Sequence, residues 1–475
     1  MDPAQPKAEQ SQPENSEPGQ AKPSASGLAA FASRDFRRYQ IARMAVIIGA
    51  EAQTVAVAWQ VYSITHRALD LGFTGLALFL PNLLFLLPAG HVADRYDRRM
   101  IILLCYGLQV FCTGALLASA LLGSHNVFLI YTVLFCIGTG RSFSAPASSA
   151  LIPHLVPEGH FVNAVTWGAA IFQLANIAGP AIGGLLFTLP IQGIFYGAGL
   201  VYTATLVSLV IFLVLIGSLS VRLGRMEHRA ASLQVIFAGF QYVRRSSILL
   251  GSLSLDLFVV LLGGATALMP IFAQEILHTG PKGLGILRAA PALGALTVSL
   301  FLARHPLERK AGHKLFVCVG IFGAATIVFG LSRNLALSLV ALAIAGAADM
   351  ISVVVRSSVL QLATPPEMRG RVSAVNSMFL GASNELGEFE SGATAQWLGA
   401  VRATVAGGIG AMIVTGLWSA LFPSLREADE LTAKSLRASQ QHPESGQQSL
   451  QAGQADATQA DSGAAKAEET APSAS

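Results

Sequence analysis

Gly90-His91-Val92-Ala93-Asp94-Arg95-Tyr96-Asp97-Arg98-Arg99 gathers three arginines and two aspartates at the junction of two long apolar runs. The runs, 71–93 and 100–122, contain no Asp, Glu, Lys or Arg. Each is long enough to cross a bilayer, which takes about 20 apolar residues. A helix of that length on a soluble domain would need a polar face toward water, and neither run has one. The stretch therefore reads as a short turn between two membrane helices, with Arg98 and Arg99 anchoring it at the headgroups.

Composition extends this reading to the whole chain. Of 475 residues, 53% are hydrophobic and 12% are Asp, Glu, Lys or Arg, about half the charge of an ordinary soluble protein. Residues 1–40 hold ten of those charges and 424–475 hold twelve, which leaves 36 for the 383 residues between. That is too few to cover a soluble domain, and 383 residues give room for roughly twelve spans with short loops. The apolar runs are continuous, which excludes an outer-membrane barrel with its alternating segments of about ten. Cys105, Cys112, Cys136 and Cys318 all fall inside apolar runs, so no disulfide framework or CxxC metal site is indicated. A net charge of +4 with scattered arginines gives no nucleic-acid surface. The histidines sit near helix ends or in loops and tails, so no metal or catalytic set forms in the membrane. A phosphate-binding Gly-x-x-x-x-Gly-Lys loop is missing, which argues against a nucleotide-driven pump. The chain is not read as an enzyme; no catalytic residue, metal or cofactor is expected.

Helices are expected near 41–63, 71–93, 100–122, 127–149, 161–188, 194–217, 248–274, 281–303, 314–332, 335–361, 372–399 and 403–423. Their loops set an orientation. On one side lie Arg34, Arg37, Arg38, Arg95, Arg98, Arg99, Arg222, Arg225, Arg229, Arg244, Arg245, Arg304, Arg309, Lys310, Lys314, Arg369 and Arg371. Only Arg67, Lys282, Arg333 and Arg402 lie on the other, so the first side and both termini are expected in the cytoplasm. The expected divisions are a disordered tail 1–32, a six-helix half 33–218, a cytoplasmic linker 219–247, a second half 248–424 and a disordered tail 425–475. The first tail lacks the apolar core of a signal peptide, and both are low-complexity polar sequence.

The division into halves rests on repetition. Ser148-Ser149-Ala150-Leu151 with Pro157-Glu158 recurs as Ser357-Ser358-Val359-Leu360 with Pro366-Glu367. Asp97-Arg98-Arg99 recurs loosely as Glu308-Arg309-Lys310, and Glu51 has a counterpart in Asp256. Parallel repeats of this kind enclose a cavity at their interface, the geometry of carriers that expose one site to each side in turn.

Ionisable residues within the spans are functional candidates because burying them is costly. These are Glu51, Arg141, Asp256, Asp349 and Arg356, and the pair Glu385 and Glu388, which share a helix face at i, i+3 while Glu390 points elsewhere. A carboxyl taken out of water holds its proton more tightly and can exchange it near neutral pH. Glu51 and Glu385 lead as proton-coupling residues. The competing reading is structural: Glu51 or Asp349 paired with Arg141 or Arg356. Trp59, Gln60, Phe172, Gln173, Phe258 and Phe379 are the expected cavity lining.

The opening stretch resembles the loop signature of the major facilitator superfamily, Gly-x-x-x-Asp-Arg-x-x-Arg-Arg. That resemblance implies a cytoplasmic gate of Gly90, Asp94, Arg95, Asp97, Arg98 and Arg99, with Asp94 meeting the start of helix 11 or Arg369 and Arg371. Gly179-Pro180-Ala181-Ile182-Gly183-Gly184 resembles the helix-5 signature of superfamily antiporters, and the membrane residue Arg141 followed by Ala145 resembles, less closely, their helix-4 arginine. Read from the residues alone, Pro180 and the glycines are a kinked packing face. Across about 33–430 the chain is similar to the siderophore-exporter branch, through Phe36-Arg37-Arg38, Trp59-Gln60-Val61-Tyr62, Leu87-Pro88-Ala89-Gly90, Arg369-Gly370-Arg371 and the run Asn384 to Gly392. The resemblance implies proton-driven export of an amphiphilic small molecule by a monomer in the inner membrane, in contact with lipid and a small-molecule substrate. Uptake on the same fold, and a non-transporting sensor or embedded enzyme on this scaffold, remain the alternatives.

Overall fold

A computed structural model describes residues 29–157, 160–189, 197–219, 233–305 and 310–426. The terminal segments expected to be disordered lie almost wholly outside these residues, as does the part of the linker at 220–232. The first half comprises α1 (Arg34–Thr65), α2 (Ala68–Arg95), α3 (Arg98–Leu121), α4 (Val127–Leu151), α5 (Phe161–Thr188) and α6 (Ala198–Gly217). A linker helix, Leu233–Arg245, lies where a loop was expected. The second half comprises α7 (Ser247–Ile276), α8 (Gly280–Arg304), α9 (Ala311–Leu331), α10 (Leu335–Ala363), α11 (Pro366–Leu398) and α12 (Ala400–Leu421). Eleven of these are long and apolar enough to cross a membrane. The twelfth, α11, has 33 residues, and its hydropathy is broken by Glu385, Glu388 and Glu390.

Local chemistry sets several boundaries. Asp97 opens α3 by accepting from Arg99 N at 2.9 Å, and Pro366 opens α11, where its missing N–H is no loss. Asn126 and Asn334 open α4 and α10 in the same way, each accepting from two backbone N–H groups. The helices overrun their apolar runs at the arginine-bearing end, α1 by beginning at Arg34 and α11 at Pro366, because nothing ends a helix where the bilayer does. One helix is less regular than expected. α7 is α-helical to Gly263, breaks at Gly264, and continues through 3-10 turns to a π-helical segment, Phe272–Ile276. Irregular backbone at membrane depth is tolerated where protein covers it, and here the Gly387 carbonyl of α11 lies 3.0 Å from a Cβ built on Gly264.

Packing within the first half pairs α1 with α5 and α6, α2 with α4, and α3 with α4 and α6. The second half repeats each pairing six helices later: α7 with α11 and α12, α8 with α10, and α9 with α10 and α12. Between halves, α5 packs on α8 and α2 on α11, which exchange under the same shift. The twelve helices are therefore two pseudo-symmetric six-helix halves.

The core divides unevenly along the bundle. At the end where odd-numbered helices begin, which carries most of the arginines and is here termed the basic end, each half has its own apolar core. One contains Phe36, Ile102, Leu151 and Phe212; the other contains Leu249, Leu315, Val359 and Val372. At the opposite end a single core joins both halves, including Val55, Leu71 and Ile130 with Phe272, Leu284 and Phe329. The molecule is thus closed at the opposite end and parted at the basic end.

Candidate functional site

The closure is built by small residues. A Cβ on Gly392 of α11 would stand 2.9 Å from the Ala68 carbonyl oxygen of α2, and one on Gly184 would stand 2.6 Å from the Pro281 carbonyl oxygen of α8. Backbones can approach this closely only without side chains between them. Phe73 and Phe389 pack at 5.6 Å, Leu69 N donates to Gln396 Oε1 at 3.4 Å, and the Tyr62 hydroxyl donates to Glu275. Nearer the middle, Gln173 Nε2 donates to the Ala292 carbonyl at 3.0 Å. Toward the basic end the contacts stop: Cβ atoms on Gly90, Gly370 and Gly381 would meet nothing within 4 Å.

A cavity of about 370 Å³ occupies the basic half of the first six helices. Its walls include Tyr39, Arg43, Glu51, Tyr106, Gln109, Arg141, Ser144, Ala145, Ser148 and Phe172. The helix-5 signature positions Glu51. A Cβ on Gly179 would stand 2.5 Å from Glu51 Cβ and 3.0 Å from the Ile48 carbonyl oxygen, and one on Gly183 2.6 Å from Ala52 Cα. Gly179 and Gly183 are thus the surface on which α1 lies, while Gly184 and the Pro180 carbonyl face α8 at Gly285.

The second half places its charges differently. Arg356 of α10 meets Asp256 of α7 at 2.6 Å, donates to Ser352 Oγ at 3.1 Å, and lies 4.0 Å from Asp349. Among the described residues, the ion pairs within 4.0 Å include neither Glu51 nor Arg141. The structural reading of the embedded charges therefore applies to the second half, with Asp256 as Arg356's close partner. Glu385 and Glu388 both face Gly75 of α2, whose Cβ would lie 3.3 and 2.9 Å from their Oε2 atoms. Glu390 is turned away and accepts from Thr394 Oγ1 at 2.6 Å. The charge of Arg141 bears on Glu385, and those of Arg288 and Glu51 bear on Glu388.

The loop signature serves its own half in this conformation. Arg99 donates to the Leu219 carbonyl at 3.0 Å and to the Gly217 carbonyl, binding the end of α6, and Arg98 lies 3.5 Å from His154. Arg95 and Asp97 are exposed at the turn. Arg369 donates to the Thr364 carbonyl at 3.2 Å, and Arg371 to Met368 Sδ at 3.5 Å. The Asp94 side chain, on which the expected gate centres, lies outside what the structure describes.

A family model described as transmembrane secretion effector matches residues 25–451. The chain belongs to that family. It is accordingly a multi-pass transporter of the major facilitator superfamily and not an enzyme. Similar family members include the enterobactin exporter EntS of Shigella dysenteriae serotype 1, 28% identical over 384 residues, which cover 80% of this chain and 86% of that protein. The enterobactin exporter EntS of Citrobacter koseri is 28% identical over 400 residues, covering 82% and 92%. Among solved structures, a bacterial homologue of the iron transporter ferroportin in its inward-facing state superposes with a TM-score of 0.61 at 16% identity, covering 81% of this chain and 98% of that one. A bacterial homologue of the human lysosomal transporter Spinster, inward-facing and unoccupied, gives 0.61 at 15% identity, covering 86% and 99%.

Within this transporter the expected cavity lining needs correction, because depth along a helix does not give rotation about it. Of the six residues expected, only Phe172 lines the large cavity. Trp59 packs on Phe187 and Gln60 accepts from Tyr202 at 2.7 Å, both toward the closed end. Phe258 packs on Trp418, Phe379 stacks on Phe240, and Gln173 bridges the halves. Arg43, Arg288 and Glu275 escaped the sequence reading. The first two interrupt apolar runs, so the rule that flagged Glu51 would have found them; Glu275 is visible only through the fold that brings α7 to Tyr62.

Proposed function

We propose that this transporter exports an amphiphilic small molecule by alternating access, coupled to proton entry. The observation that carries the reading is similarity to proteins named as enterobactin exporters over four-fifths of the chain. The basic end is taken as cytoplasmic because arginines and lysines collect there, which puts the protein in the inner membrane with both termini inside. In that orientation the cavity with Glu51, Arg43 and Arg141 is loaded from the cytoplasm. Aromatic rings, two guanidinium groups and hydroxyls suit a ligand with both a ring system and polar substituents, as a siderophore has. Embedded carboxyls in both halves supply places for a proton whose movement opposes that of the substrate.

Untargeted metabolite profiling of growth medium and cells, from deletion and overexpression strains, tests this. Overexpression should enrich an amphiphilic compound in the medium, deletion should retain it in cells, and a protonophore should abolish the difference. Depletion of the compound from the medium on overexpression would reverse the direction and make the protein an uptake carrier.

A further inference from the structure

We infer that, of the two aspartates beside Arg356, Asp349 is the one that takes up and releases a proton, while Asp256 is the permanent counter-ion. The inference rests on the proton-coupled reading above and assigns one carboxyl to it.

The two aspartates share one guanidinium unequally. Asp256 is 2.6 Å from Arg356, and both side chains are below a tenth exposed, at 8% and 9%. A buried guanidinium needs a carboxylate, and a buried carboxylate needs a cation, so this contact holds both in their charged forms. Asp349 stands 4.0 Å from the same guanidinium with 49% of its side-chain surface open. The three groups together carry one net negative charge when both carboxyls are ionised. They are neutral when one carboxyl holds a proton. Since Asp256 is fixed by its short contact, the exchangeable proton belongs on Asp349.

Asp349 also has a route to water. It lies midway along α10 (Leu335–Ala363), at membrane depth, so its open surface faces either lipid or an internal aqueous space. The lipid side of α10 is marked by the exposed apolar stripe Leu337, Val340 and Ile344. Asp349 is five residues beyond Ile344 and therefore turned about 140° from it, at about 100° per residue. Its open surface consequently faces the aqueous space parted at the basic end. Between Asp349, Asp256 and Ser352 is a void of about 10 Å³, close to the room one water needs, walled otherwise by Leu255, Val259, Val319 and Phe322. Asp256 of α7 shares the void with Asp349, and Arg356 of α10 lies 4.0 Å from it. The residues that α9 contributes to the void are apolar, and Arg288, the one charge between the ends of α8, bears on Glu388 of α11.

The first half offers no equivalent. At the place of the Asp256 triad it has the cavity of about 370 Å³, where Glu51 has no ion-pair partner within 4.0 Å among the described residues. A carboxyl there is placed to meet a substrate.

Infrared difference spectroscopy on the full-length protein in lipid, stepped through pH without substrate, reads carboxyl protonation directly. Wild type should show titrating protonated-carboxyl absorption, one band of which is that of Asp349. Asp349→Asn should remove it and remain folded, since the Asp256–Arg356 pair stays neutral. Asp256→Asn should remove it too, because Asp349 then becomes the sole counter-ion of Arg356 and stays ionised. Asp349→Glu should keep the titration but shift the band frequency, and Glu51→Gln should leave this band in place. A titration spectrum identical to that of wild type in Asp349→Asn, or in Asp349→Glu, would overturn the assignment. No substrate or gradient is used, so failure of export to respond to a protonophore would count against the functional reading alone.

Discussion

An added methyl at Gly179 would collide with Glu51, whereas one at Gly90 would meet open space. Both glycines belong to stretches that resemble superfamily signatures, yet only the first is held by packing in this conformation. Gly179→Ala should destabilise the protein by about 1–3 kcal/mol, the usual effect of overpacking a tight contact, and should displace Glu51 in the cavity. Thermal unfolding in detergent measures this as a lowered Tm. Gly90→Ala should leave Tm equal or raised, since Ala in a helix is favoured over Gly by about 0.5–1 kcal/mol. Its effect should instead appear as slower transport, because a helix has to approach Gly90 when the basic end closes. Wild-type turnover in Gly90→Ala would mean that no helix comes against that position during the cycle.

At the scale of elements, α11 combines the functions that sequence treats separately. Its mid-portion carries Glu385 and Glu388, Gly387 between them and Gly392 beyond make close backbone contacts, and its start receives the linker helix at Arg371. Its charges make α11 less apolar than the other eleven helices, and Glu385 and Glu388 turn theirs toward Gly75 of α2. The helix positions were legible from the sequence to within a few residues at most ends, since apolar run length and arginine placement are local signals. The break of α7 at Gly264 was not, because it answers to Gly387, more than a hundred residues away. Cavity lining was not legible either: Phe258 and Phe379 sit at a plausible depth but turn toward Trp418 and Phe240. The close partnership of Asp256 with Arg356 was not legible: the structural reading offered Glu51 or Asp349 as acids for Arg141 or Arg356, and residue type does not rank one embedded acid over another. The α2–α11 contact gives a prediction at this scale. A Cβ on Gly392 would stand 2.9 Å from Gly72 N and 3.0 Å from Gly72 Cα, atoms that cannot swing aside. Gly392→Ala should therefore bias the molecule away from closure at this end. Cross-linking of cysteines introduced at Leu69 and Gln396, with the native cysteines replaced by serine, should fall several-fold; an unchanged yield would show that closure does not depend on this contact.

For the whole molecule, the decisive relation is that closure and charge lie at opposite ends. The single core that joins the halves surrounds Leu71, Phe272 and Phe329, at the end where Arg67, Lys282, Arg333 and Arg402 lie between or at the starts of helices. The separate cores border the arginine-rich loops. If the positive-inside rule holds, the described conformation is loaded from the cytoplasm, and the side of each loop fixes the direction in which the cavity opens. Reporter fusions after Arg99, Arg229 and Arg371 should report cytoplasm, and fusions near Asn126, Lys282 and Arg333 should report the outside. Arg229 is the most telling of these, because it lies in the linker between the halves. An outside signal there with the Arg99 fusion inside would mean an odd number of crossings between the two, which the repeated pairing of helices one to six with seven to twelve does not allow. If instead every fusion is inverted together, the fold survives intact, but the cavity then opens outward and the export reading gives way to uptake.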